Sequence, residues 1–182
     1  LRRTPMTKEE IREVSICKLH LTKDAVVYDI GSGTGSVAVE IAGLSGQLQV
    51  YAIERKPEAV ELLLKNRAHF HMDNMEIIEA PAPEGLEELP VPTHAFIGGS
   101  GGRLRDILQT LYRKNSGMRI VINAISMETI AELKEVLETF PVEEEEILQM
   151  QVNRVKKLGS YHLPQAENPV WICSFTFCER VD

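Results

Sequence analysis

The chain is predicted to be an α/β protein, a doubly wound, seven-stranded, mostly parallel sheet that ends in a C-terminal antiparallel hairpin. Three observations predict this. The run Val26-Val27-Tyr28-Asp29-Ile30 feeds a buried strand into Gly31-Ser32-Gly33-Thr34-Gly35, and a helix carrying Val37, Val39, Ile41 and Ala42 follows. Strand-like and helix-like stretches then alternate along the chain, which means parallel pairing through crossover helices. After about residue 140 the pattern changes to strands alone.

In order, Thr7-Lys8-Glu9-Glu10 is a capping-box pattern that opens a helix with Ile11, Val14, Ile16 and Leu19 on its apolar side. Strands are expected near 25–30, 48–53, 74–79, 93–98 and 118–124, with helices near 35–44, 57–70, 103–114 and 127–139. Two long strand-like segments, roughly 143–155 and 168–179, close the chain, joined by a loop containing Gly159, Pro164 and Pro169. The acidic run Glu143 to Glu146 reads as a solvated face, with Glu144 and Glu146 alternating outward.

At 182 residues and 43% hydrophobic content the chain can bury a sizeable core, and no low-complexity linker divides it. The expectation is one domain over 1–182: a helical region over 1–22, a cofactor-binding core over 23–140 and terminal strands over 141–182. No stretch of about 18 apolar residues is present to span a membrane. Leu1-Arg2-Arg3-Thr4-Pro5 is not a signal peptide, and the absent initiator Met suits a fragment such as the C-terminal half of a longer polypeptide.

Cys17, Cys173 and Cys178 do not make a disulfide framework, since the last two would point to opposite faces of one strand. Buried thiols in a reducing cytoplasm are the expectation. His69 and His71, two apart at a helix end, lack ligand spacing, and no metal site is expected.

The glycine spacing bears on the cofactor. A dinucleotide turn follows G-x-G-x-x-G, whereas here the third glycine comes one residue early, at Gly35, and Ser36 follows. Asp29 precedes the first glycine, where S-adenosylmethionine-dependent methyltransferases carry an acid. The strand Gln49-Val50-Tyr51-Ala52-Ile53 ends at Glu54, where a carboxylate would take both hydroxyls of an adenosine ribose. Near the third strand end, the backbone of Ala80 and Ala82 could contact the adenine, with Glu79 a further candidate; Pro81 has no N–H to offer. The closing antiparallel pair likewise resembles the class I methyltransferase fold.

The fourth strand, His94-Ala95-Phe96-Ile97, leads into Gly98-Gly99-Ser100-Gly101-Gly102, then Arg103 and Arg105 at a helix start. Amino-group methyltransferases place an Asn/Asp-Pro-Pro-aromatic clamp there. Five small residues instead make room for a large acceptor, and their N–H groups with the positive helix end suit carboxylates. A flexible loop with exposed arginines is the bland alternative.

Taken together, these segments resemble the decarboxylating precorrin methyltransferases of cobalamin biosynthesis, which methylate carbon 15. The likeness runs through Thr4-Pro5-Met6-Thr7, Asp29 to Ser36, Tyr51-Ala52-Ile53-Glu54, Ala82-Pro83-Glu84 and Phe96-Ile97-Gly98-Gly99-Ser100-Gly101-Gly102. It continues through Val121-Ile122-Asn123-Ala124-Ile125-Ser126, Gln151-Val152-Asn153-Arg154, Leu158-Gly159-Ser160-Tyr161 and Asn168-Pro169-Val170. The glycine turn is common to all class I methyltransferases; the Phe-Ile-Gly-Gly-Ser-Gly-Gly and Pro-Met-Thr segments are far more specific.

The resemblance implies S-adenosylmethionine contacts from Thr7, Gly31, Ser32, Gly33, Thr34, Gly35, Glu54 and Ala82, with Asp29 at the same site. It also implies a precorrin tetrapyrrole substrate, with Gly99, Ser100, Gly101, Arg103, Arg105, Asn123 and Arg154 as candidate contacts, beside Lys156 and Lys157. Decarboxylation of an acetate side chain, a homotetramer and a carbon-5 methyltransferase fused or associated with the chain follow from the same likeness. Two positions depart from the pattern: Ser32 stands where cysteine is common, and Pro81 replaces an acid or small polar residue.

Two other classes share parts of this pattern. A nucleic-acid methyltransferase would share the cofactor half but need a basic footprint, which a net charge of −7 without a Lys/Arg cluster does not provide. A noncatalytic cofactor-binding protein would not need the roomy Gly98–Gly102 segment.

Overall fold

The computed structural model describes residues 7–179. Five parallel strands, β1 (Val26–Ile30), β2 (Gln49–Glu54), β3 (Met75–Glu79), β4 (His94–Ile97) and β5 (Arg119–Ala124), form the centre of the molecule. Two antiparallel strands, β9 (Val170–Phe177) and β6 (Val142–Met150), extend it, giving the seven-stranded order β3-β2-β1-β4-β5-β9-β6. The expected fold class therefore stands, and so do the five central strands and the helices between them.

Helices cover both faces, which is why β1, β4 and β5 read as near-continuous apolar runs. On one side, α1 (Glu9–Leu19), α2 (Ser36–Leu44) and α3 (Pro57–His69) bury Ile11, Leu19, Ile41 and Leu63 against Val27, Val50 and Val121. On the other, α4 (Leu104–Lys114) and α5 (Met127–Thr139) bury Leu104, Leu108 and Leu133 against Tyr28, Ile30, Ile120 and Phe175. Period-two alternation assigns Val27 to the first layer and Tyr28 to the second.

The start of α1 differs from the capping-box expectation. Lys8, with extended backbone, is the N-cap and makes no side-chain cap bond. Thr7 stands one residue outside, its carbonyl accepting from Arg12 at 3.2 Å. Thr4, Pro5 and Met6 lie outside the described residues. The buried stripe of α1 also runs through a polar residue, Ser15, which is fully buried because its hydroxyl donates to the Ile11 carbonyl at 2.7 Å.

The C-terminal region corrects the two-strand expectation. It forms four strands, with β7 (Asn153–Leu158) and β8 (Tyr161–Ala166) between β6 and β9. The two make a separate antiparallel hairpin whose turn holds Gly159 at φ +62°. Pro164, expected in a loop, lies within β8 opposite Val155, a position open to proline because both strands of a two-stranded hairpin are edges. In β6, Glu144 has φ +52° at a bulge between Glu143 and Glu146, so the acidic run is solvated without strict alternation.

Cys17, Cys173 and Cys178 are free thiols. Among the described residues, no helix is long and apolar enough to cross a membrane, and no group of three His, Cys, Asp or Glu is placed to hold a metal ion.

Candidate active site

Parallel strands all end in the same direction, so the turns that follow them converge at one edge of the sheet, where ligands bind in such folds. Here they enclose a cavity of about 490 Å³, within the range of small-molecule sites. Residues 31–33 follow β1, 54–56 follow β2, 80–82 follow β3 and 98–101 follow β4 on its wall. Asn123 and Ile125 come from the end of β5, while Thr7, Lys8 and Asn168 form part of the rim.

The turn after β1 is held by main-chain bonds. The N–H groups of Gly31 and Ser32 donate to the Ile53 carbonyl at 3.0 and 3.1 Å, tying the turn to β2. Gly31, Gly33 and Gly35 adopt φ of +71°, +59° and +79°, the region that favours glycine. A side chain at Gly31 would place its Cβ 2.5 Å from the Gly99 carbonyl oxygen, so the two glycine segments touch backbone to backbone across the floor of the cavity.

Glu54 is 7% exposed, yet its carboxylate is supplied with main-chain donors. One oxygen accepts from Gly33 N–H at 2.9 Å, and the other accepts from Arg55 and Lys56 N–H, each at 2.9 Å. These bonds stabilise the buried charge and fix the carboxylate on the cavity wall.

Asp29, Thr34 and Gly35 act beneath the turn and are not on the wall. Asp29 is fully buried; its Oδ2 accepts from the Ser32 hydroxyl at 2.6 Å and from Ala38 N–H at 3.1 Å, coupling the turn to the first turn of α2. Its Oδ1 has no partner among the described residues, and burial raises its pKa to about 7. Thr34 accepts from Asn66 at 2.8 Å through its carbonyl. A Cβ on Gly35 would meet Leu63 at 2.3 Å, so that glycine is needed for packing against α3.

On the other side of the cavity, Gly99, Ser100, Gly101, Arg103 and Asn123 are brought together as expected. The remaining arginine candidates are not. Arg105 lies off the wall, 3.9 Å from Glu135, and Arg154 is bound bidentately by Glu10 at 2.7 and 2.9 Å. Arg103 keeps its place on the wall but is ion-paired with Glu84 and with Asp106. Lys156 and Lys157 are exposed on β7. Ala80, Pro81 and Ala82 all line the third-strand side, and Glu79 does not.

Several wall residues escaped the sequence reading. Arg55, Lys56 and Lys8 look like ordinary surface cations in sequence, and Ile125, 74% exposed, looks like an isolated apolar residue. A usable signal existed for Arg55 and Lys56, which directly follow the acid at the end of a strand.

The chain matches the family model described as a precorrin methyltransferase domain over residues 2–176. It is 39% identical over 171 residues, 92% of this chain and 87% of the relative, to a protein of Pyrobaculum aerophilum named "Probable cobalt-precorrin-6B C(15)-methyltransferase (decarboxylating)". The crystal structure of a precorrin-6y C5,15-methyltransferase from Geobacter metallireducens superimposes with a TM-score of 0.90 at 35% identity, covering 97% of this chain and 92% of that one. A precorrin 8w decarboxylase from Methanobacterium thermoautotrophicum gives a TM-score of 0.84 at 34% identity, covering 94% and 91%. With residues 2–176 of the chain matched by the family model and the same fold at this level of identity, the chain belongs to the precorrin methyltransferase family.

Proposed function

We propose that this protein is an S-adenosylmethionine-dependent enzyme that methylates a precorrin at carbon 15 and removes an acetate carboxylate from the same substrate, as a step of cobalamin biosynthesis. The observation that carries this reading is the direct opening of a glycine and acid cradle onto a cavity side built from small residues, in a chain of the precorrin methyltransferase family. The relatives' names supply both halves of the chemistry, carbon-15 methylation and decarboxylation.

The residues present fit an S-adenosyl group. Residues 31–33 line the cavity, and Gly31 has to be glycine there because a Cβ would collide with the Gly99 main chain that closes the floor. Three of the roughly four acceptor sites of the Glu54 carboxylate are taken by main-chain N–H groups, which leaves the oxygen bonded to Gly33 free to accept one ribose hydroxyl, and the main chain of residues 80–82 offers a place for the adenine. Thr7 and residues 31–33 would complete the cradle. When bound, the cofactor supplies an electrophilic methyl group on a sulfonium.

The chain's own contribution is then positioning. Ile30, Phe96, Ile125 and Val170 give the cavity apolar wall that excludes water, which raises the energy of a carboxylate held there relative to neutral carbon dioxide. The conjugated macrocycle accepts the electrons released, as an electron sink does. Asn123, at the end of β5, is an uncharged polar side chain on the wall that could orient the acceptor.

The free thiols suit a reducing cytoplasm. The family resemblance implies a homotetramer, and the β7–β8 hairpin is the surface proposed to hold it, because a two-stranded hairpin is marginal alone and this one exposes Val155, Leu158, Tyr161 and Leu163. A carbon-5 methyltransferase, fused or separate, acts on the same macrocycle. Incubation with S-adenosylmethionine and the pathway precursor, read by mass spectrometry, tests the assignment. The expected product is heavier by one methyl and lighter by one carbon dioxide. A methylated RNA with no tetrapyrrole product would overturn the reading.

A further inference from the structure

Of the cations on the cavity wall, Lys8 is ion-paired with Glu167 at 2.6 Å and Arg103 with Glu84 and Asp106, whereas Arg55 and Lys56 have no ion pair among the described residues. Arg55 is set apart by its guanidinium, which lies against Gly101 of the small-residue loop. It lies on the wall, its side chain makes no hydrogen bond or ion pair among the described residues, and its neighbour Glu54 is turned away onto main-chain N–H groups.

The position of its guanidinium is informative. A Cβ built on Gly101 would lie 3.1 Å from one guanidinium nitrogen and 3.4 Å from Cζ. Arg55 starts at the end of β2, whereas Gly101 follows β4, and β1 stands between those strands. Adjacent strands are about 4.8 Å apart, so the side chain crosses roughly 10 Å of sheet edge and roofs the cavity between the Glu54 side and the small-residue loop. Opposite it, the N–H groups of residues 99–102 have no main-chain acceptor among the described residues, and Gly101 and Gly102 take φ of +61° and +79°. A planar cation beside unbonded N–H groups suits a carboxylate. A large side chain at Gly101 would displace the guanidinium, which gives that glycine a purpose beyond room for the acceptor.

Resting on the macrocycle reading above, we propose that Arg55 binds a side-chain carboxylate of the tetrapyrrole at the boundary between the cofactor cradle and the acceptor half, and is a specificity-determining residue of the reaction. The arginines singled out from sequence are already neutralised by acids of the protein. Arg55, like its neighbour Lys56, keeps its charge unspent on the wall, and its guanidinium stands against the small-residue loop, in a chain whose net charge of −7 would otherwise repel a polycarboxylate.

A carboxylate could also come from the methionine end of the cofactor, and the experiment separates the two. Arg55→Met and Arg55→Lys are compared with the unmodified protein by calorimetry with S-adenosylmethionine and by fluorescence titration with an octacarboxylate porphyrin and its methyl ester. Arg55 is exposed, and unchanged melting curves serve as the folding control. The expected result is porphyrin acid binding weakened about tenfold or more in Arg55→Met, partly restored in Arg55→Lys, with cofactor affinity within about twofold and weak ester binding throughout. Equal porphyrin binding by Arg55→Met, loss of cofactor affinity in place of porphyrin affinity, or no porphyrin binding by the unmodified protein would each overturn the proposal. Failure of the pathway substrate to be methylated while the Arg55-dependent porphyrin binding persists would instead remove the carbon-15 reading and leave the carboxylate site standing.

Discussion

Ser15 on α1 and Asn123 at the end of β5 meet at 3.1 Å, joining the helix that covers the sheet to the cavity wall. Ser15 is fully buried and its Oγ also lies 2.7 Å from the Ile11 carbonyl. A hydroxyl carries one proton and can serve one of these oxygens fully. Turning the Asn123 amide over satisfies both, with its NH2 donating to Ser15 and its oxygen facing the cavity, an assignment open at any amide whose hydrogens are not observed. Removing the Ser15 hydroxyl should therefore release Asn123. Ser15→Ala is expected to lower kcat/KM for the tetrapyrrole by about fivefold, the worth of a hydrogen bond near 1 kcal/mol, with cofactor affinity unchanged in calorimetry. Equal kinetics in Ser15→Ala would mean that Asn123 is held by its backbone alone.

Glu54→Gln should weaken S-adenosylmethionine binding by about 1–2 kcal/mol, since hydrogen bonds to a charged group contribute about 1.5–3 kcal/mol and the amide keeps part of that. The substitution also puts an NH2 where a carboxylate oxygen now accepts from main-chain N–H groups, either Gly33 or Arg55 and Lys56. A loss in thermal stability should accompany the weaker titration. Unchanged affinity in a folded variant would move the ribose elsewhere, and tight NAD binding would favour a dehydrogenase.

The contrast between Asp29 and Glu54 marks how far sequence could be read. Both acids stand at strand ends beside the glycine turn, and the sequence places both at the cofactor site, with the ribose given to Glu54. The fold takes Asp29 off the wall, because the turn bends over it and leaves Glu54 facing the cavity. The parallel core was legible because period-two burial and glycine turns are local signals. The β7–β8 hairpin was not, since Val155 and Pro164 pair across a turn within a polar stretch whose apolar residues face no core of this chain. The place of Arg55 on the wall could have been read from its position after Glu54, but its approach to Gly101 could not, since that loop lies two strands away, a distance set by sheet order.

Asp29 should make stability fall with rising pH. In the unfolded chain its carboxyl ionises near the ordinary value of 3.8, whereas burial holds the proton in the folded chain up to about pH 7. Between those values the folded state binds more protons, so the slope of unfolding free energy with pH is negative there, and the cost is complete above the folded pKa. A shift of that size is worth about 4 kcal/mol at most. Asp29→Asn removes the titration, so the difference in Tm, variant minus unmodified, should climb as pH rises through this window and then level. A flat difference would show that Asp29 is ionised throughout.

The hairpin can be removed without cutting the main sheet. Glu167 N–H donates to the Val152 carbonyl at 3.1 Å, so the chain enters and leaves β7–β8 at neighbouring points, and those strands pair only with each other. Replacing residues 153–166 by Asn-Gly, a pair that favours tight two-residue turns, should give a folded protein that still binds S-adenosylmethionine. Lost with the hairpin are the exposed Leu158, Tyr161 and Leu163, which at 68%, 71% and 48% exposure have no apolar cover within the chain. The Arg154–Glu10 pair goes too, but it is exposed on both sides and its loss should cost little stability. Light scattering should find the unmodified protein tetrameric and the shortened one dissociated. Leu158→Lys with Tyr161→Lys keeps the hairpin backbone and should dissociate the assembly in the same way, so a folding defect in the shortened form cannot be mistaken for loss of the interface. Tetramers of unchanged mass in the double lysine variant would take the hairpin out of the interface and leave its apolar residues without an occupant.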